Sequence, residues 1–137
     1  MWASYQSSPP TPRTPWDIIA YEDDVSSGNV LRVDNTRKVG ALYWAFAQFG
    51  YEVLSHVAGW LLGGIIRTHN YKQVRGGLSA VFAVFLQSFF GAAHDFSTSG
   101  IQVRLRQRTV TIFARFAVTV ADADALRAIW TVTGLCD

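Results

Sequence analysis

Hydrophobic and polar positions divide the chain into three stretches of different character. Residues 1–15, MWASYQSSPPTPRTP, are rich in Ser, Thr and Pro, and such a segment is expected to be extended or disordered. WDIIAYEDDV (16–25) reads as a short helical turn or a strand ending in the acids Glu22, Asp23 and Asp24. SSGN (26–29) is a turn signal, and NVLRVD alternates briefly like a strand. From Gly40 to Ile66 no Lys or Arg occurs and Glu52 is the only acid. RTHNYKQVR (67–75) is polar and basic, and Gly76–Ala93 is again without formal charge, closed by His94 and Asp95. A helix needs about 20 apolar residues to cross a bilayer core. The first run is ample and the second just sufficient, so the pattern predicts a transmembrane helical hairpin.

On a helical wheel each run divides into two faces. In the first, Ala41, Ala45, Gln48, Glu52, His56, Gly59 and Gly63 fall together, opposite Tyr43, Leu54, Val57, Leu61 and Ile65. In the second, Gly76, Ala80, Ala83, Gln87, Gly91 and His94 share a face, opposite Leu78, Val81, Phe82, Phe85 and Phe89. A narrow small-and-polar stripe with a broad greasy back suits helices packed in lipid, and the Gly59–Gly63 spacing is GxxxG. The helix interface is accordingly placed at Ala45, Gln48, Glu52, His56, Gly59, Gly63, Ala80, Ala83, Gln87 and Gly91. Paired antiparallel, the runs bring His56 near Gln87 and Glu52 near Gly91.

The tail changes period. IQVRLRQ places its apolar residues at odd numbers, and TVTIFARFAVTV at even ones, so a bulge or turn is expected near 107–109. Asp122 or Asp124 can cap a short helix over Ala125–Thr131 that Gly134 stops. The expected fold is a mainly α membrane protein. It comprises an extramembrane N-terminal segment (1–39), a two-span hairpin (40–95, spans 40–66 and 76–94, loop 67–75) and a small C-terminal β/α extension (96–137).

Composition agrees with that reading without sharpening it. Half of the 137 residues are hydrophobic and only 16% are charged, which leans towards burial or lipid. A net charge of +2 is too small for a nucleic-acid footprint. Arg67, Lys72, Arg75, Arg104, Arg106 and Arg108 are positioned to meet lipid headgroups or a partner subunit. The lone Cys136 permits no internal disulfide and no cysteine metal site.

Chemistry is sparse. HExxH, GxSxG, CxxC and phosphate-loop patterns are all missing, so no enzyme is indicated and no metal site is expected. An ionisable residue in a membrane costs about 2.5–3.5 kcal/mol, which makes Glu52 and His56 a functional-site hypothesis by default. A structural pair at the helix seam, a short proton path, and a haem contact through His56 or His94 are the three options. In a hairpin the two histidines are offset by about 10 Å, which disfavours joint ligation. The expected function is a non-catalytic accessory subunit of a multisubunit complex in an energy-transducing membrane, with the mitochondrial inner membrane (respiratory chain or ATP synthase) as its setting. Its partners would be other membrane subunits and lipids. The alternatives are a redox or proton-handling anchor and a soluble α+β binding domain whose helices lie beneath the tail's sheet.

Overall fold

A computed structural model describes residues 1–26, 38–91 and 94–130. Helix α1 (Trp2–Ser7) leads through a proline-rich turn into β1 (Trp16–Ser26), and β2 (Lys38–Phe46) returns beside it. Short turns and the five-residue α2 (Gly50–Leu54) precede β3 (Leu61–Arg67) and the single-turn α3 (Thr68–Tyr71). Next come α4 (Gly77–Phe90), a two-residue β4 (His94–Asp95), the hairpin β5 (Ile101–Leu105) and β6 (Arg108–Ile112), β7 (Ala114–Val120) and α5 (Ala123–Trp130).

One four-stranded sheet organises the molecule, in the order β3-β2-β1-β7. β1 runs antiparallel to β2 and parallel to β7, so segments from both ends and the middle of the chain share it. Strand pairing puts Ile18 beside Phe46 and Phe116, and Ala20 beside Trp44 and Thr119, on one face. Against that face lie Leu78, Phe82, Phe85 and Phe89 of α4, with Ile129 of α5 and Ile112 of β6 completing the buried core. The contacts are aromatic: Trp44 meets Phe89 edge-on at 4.9 Å, and Phe82 meets Phe116 at 6.0 Å. Phe96 fastens the far end, its N–H donating to the Phe89 carbonyl (3.0 Å) and its carbonyl accepting from Ala114 (2.9 Å).

This architecture corrects the membrane hairpin. Among the described residues no helix is long and apolar enough to cross a membrane, and α4 itself has 14 residues. The transmembrane fold class and the integral, mitochondrial-membrane placement fall with the hairpin; a mixed α/β fold replaces them. The first apolar run is two strands joined by turns, because Tyr43, Trp44, Phe46, Ile65 and Ile66 suit a pleated surface. Gly50, at φ 78°, takes the left-handed backbone that turns the chain between them.

The second run is helical, but its faces are reversed relative to expectation. The aromatic back points into the core, and Ala83 and Gln87 of the small-and-polar stripe face outward. A helix with small residues outside is equally compatible with a sheet underneath, so the stripe marks no helix–helix seam.

Elsewhere the pattern is closer to the structure. The 101–120 phase switch is a hairpin turn at Arg106–Gln107, and Asp122 accepts from the Ala125 N–H at 2.7 Å as the α5 cap. Residues 2–7 form a helix where an extended segment was expected, with Tyr5 edge-on to Trp16 at 6.4 Å. Most of the SSGN turn, the NVLRVD strand, Thr131, Gly134 and Cys136 lie outside the described residues.

Candidate functional site

Alternation along β1 presents Ile19, Tyr21 and Asp23 to the sheet face that α4 does not cover. Tyr43 of β2 stands opposite Tyr21, with ring centroids 6.2 Å apart, and Val120 of β7 flanks it on the other side. The segment between β2 and β3 folds over this surface and supplies Leu54, Ser55, His56, Val57 and Trp60. Together they enclose an open hollow of about 540 Å³. That is within the size range of small-molecule sites.

Two local devices shape the overlying segment. Gly59 is buried against the Val53 carbonyl, where a Cβ would collide with the backbone, so the tight return before Trp60 requires glycine. The Trp60 indole N–H donates to the Leu54 carbonyl at 3.0 Å, which fixes the ring 5.7 Å from Tyr21 at an angle of 50°. The Ser55 hydroxyl donates to the Glu52 carbonyl at 2.9 Å and is thereby occupied. Burial raises the Tyr21 phenol above its ordinary value, and the Asp23 carboxylate adds to this as a charge and as a hydrogen-bond acceptor.

On the opposite face a second polar group meets the core. Glu22 is only 5% exposed, and burial, followed by the charges of Asp24 and Asp122, pushes its carboxyl up to about 7. Lys38 opposes that rise and is itself paired with Asp24 at 2.7 Å. Thr68 donates to Asp24 at 3.3 Å, and the Tyr71 phenol is raised by burial and then by Asp24 and Glu22. No group of three or more potential metal ligands occurs among the described residues.

The expected interface residues scatter. Ala45 is buried in β2 opposite Ile19, and Gln48 grips Asp17. Glu52 is exposed on α2, whereas four residues on His56 lines the hollow, so the two do not form the expected pair at a helix seam. Gly63 lies under the Phe85 ring, Ala80 is half-buried and Ala83 exposed on α4, and Gly91 follows the helix.

His94, the other haem candidate, is exposed on β4 and does not line the hollow with His56. Of the basic residues, Arg67, Lys72, Arg75, Arg104 and Arg108 are exposed, and Arg106 lies 5.9 Å over the Trp2 ring. Sequence reasoning picked out His56 but missed Tyr21, Asp23, Tyr43 and Trp60. The i, i+2 spacing of Ile19, Tyr21 and Asp23 was the available signal, once 16–26 is read as a strand.

No protein-family model, curated protein or solved structure matches this chain.

Proposed function

We propose that the protein is a non-catalytic α+β binding module that takes a small, largely apolar ligand into the hollow on the outer face of its sheet. The carrying observation is the hollow itself, an aromatic and aliphatic surface with few polar groups converging on it. Binding is favoured over catalysis because Ser55, the one hydroxyl next to His56, is tied to a backbone carbonyl and so is not poised as a nucleophile on that base. A fragment screen by two-dimensional NMR tests the reading. Shift changes confined to Tyr21, Tyr43, His56 and the Trp60 indole support it; changes scattered over the surface, or none with any aromatic fragment, refute it.

A second reading keeps the chain as an accessory subunit, without the membrane. It is favoured by the sheet-edge strand β3, whose Leu61, Leu62 and Ile65 are 41%, 56% and 62% exposed. An apolar edge with charge only at its end invites another chain. Native electrophoresis of wild type and Ile65→Lys tests this reading. A complex that forms with the first and not the second supports it, and equal migration as a single small species sinks it.

A further inference from the structure

We infer that the hollow selects an organic cation, of the quaternary or methylated ammonium class, held against Tyr21, Tyr43 and Trp60 beside the Asp23 carboxylate. This rests on reading the hollow as a binding site, and it adds the charge of the ligand.

Four observations converge. First, three aromatic rings line one hollow, and two of them, Tyr21 and Trp60, meet at 50° with centroids 5.7 Å apart. Tilted rings of this kind make a corner whose π surfaces attract a positive group, tryptophan most strongly. Second, the indole N–H is spent on the Leu54 carbonyl. The ring therefore has no free donor for an anionic or carbonyl ligand, and its remaining offering is its π system.

Third, among the described residues Asp23 is the one acid lining the hollow, and no Lys or Arg lines it. A carboxylate or phosphate ligand would face a like charge with no cation to offset it. Fourth, apart from Ser55 and His56 the remaining walls, Ile19, Leu54, Val57 and Val120, are aliphatic. They suit a cation clothed in methyl groups, which loses little hydration on entry, better than a bare ammonium that needs its donors satisfied. Among the described residues His56 and the phenols of Tyr21 and Tyr43 are the other titratable side chains lining the hollow.

The test uses the full chain and two probes of nearly equal shape, choline and its neutral analogue 3,3-dimethylbutan-1-ol, titrated by NMR on the Trp60 indole resonance. Choline is expected to bind at least fivefold more tightly. Asp23→Asn should remove most of that preference while leaving the neutral probe within about twofold. Asp23 is exposed, so the variant is expected to fold, and its amide spectrum verifies this. Tyr43→Phe should keep the preference and Tyr43→Leu should reduce it severalfold, since only the first retains a ring. Equal binding of the two probes, or tighter binding of the alcohol, overturns the cationic assignment and leaves the hollow as an apolar site. If neither probe moves the resonance the assignment also falls, while the aromatic-fragment screen decides separately whether the hollow binds anything.

Discussion

Gly63 of β3 lies directly beneath the ring of Phe85 on α4, so close that a Cβ at this position would run into the ring. Its neighbour Gly64 has nothing within 4 Å of the corresponding point. Phe85 is buried among the core aromatics, 4.9 Å from Phe89 and 5.6 Å from Phe82, and has little room to retreat. Valine ordinarily favours a strand over glycine. Gly63→Val should nevertheless cost about 1–3 kcal/mol by overpacking, while Gly64→Val should be neutral or stabilising by up to about 1 kcal/mol. Urea denaturation of the two variants measures both. Equal effects would mean that α4 does not sit on β3 in this way.

Glu22 makes stability depend on pH with a definite sign. The folded state holds its proton up to about pH 7, against an ordinary value of 4.5 in the unfolded chain. Between those values the folded state binds more protons, so this residue's contribution falls as pH rises from 4.5 to 7 and is lost above it. Glu22→Gln should remove that slope and leave the protein more stable than wild type at pH 8, by about 1–3 kcal/mol. Thermal unfolding of both proteins from pH 5 to 8 checks this, and parallel curves would place Glu22 in water.

The Thr119 hydroxyl is buried and finds no hydrogen-bond partner among the described residues. Burying an unsatisfied hydroxyl is unfavourable, and valine has the same branched shape with a methyl in its place. Thr119→Val should raise stability by about 1 kcal/mol in chemical denaturation; a loss would reveal a partner for the hydroxyl.

Gln48 holds Asp17 with both ends of its amide. Its Oε1 accepts from the Asp17 backbone N–H at 3.0 Å and its Nε2 donates to the carboxylate at 3.1 Å. Arg115 reaches the other carboxylate oxygen at 2.7 Å from a side chain that is 65% exposed. Gln48→Leu should cost about 1–2 kcal/mol, because a part-buried N–H loses its acceptor. Arg115→Ala should cost less than about 1 kcal/mol, and that cost should shrink in salt. Melting curves at low and high salt distinguish the two.

The sequence pattern carried much of this fold locally and little of it globally. A cap at Asp122 or Asp124 and a bulge or turn near 107–109 were legible, because both signals reside in a few adjacent residues, and the structure puts them at Asp122 and Arg106–Gln107. The two faces of α4 were equally legible, since Phe82, Phe85 and Phe89 recur at helical spacing. What the wheel does not carry is which face looks inward: a helix with an aromatic face buries it equally in lipid or on a sheet. That choice is made by β1, whose partners Phe46 and Phe116 are separated from it by 28 and 98 positions in the chain.

The run 40–66 misled for a related reason. A long apolar stretch does not distinguish a helix from two strands by periodicity alone, and Gly50 and Gly59 marked the breaks. Of the candidate site only His56 stood out in sequence. Strand pairing makes Tyr21 and Tyr43 register partners with Asp23 on the same face, and the turn before β3 lays Trp60 against Tyr21.

Filling the hollow tests the central claim most directly. Val120, at the end of β7, lines the hollow and is half exposed, so Val120→Trp should fold normally and occupy the space. An aromatic fragment that shifts the Trp60 indole resonance of the wild type should leave that of Val120→Trp unchanged at the same concentration. Undiminished binding to the filled variant would contradict the account and place the site elsewhere on the molecule.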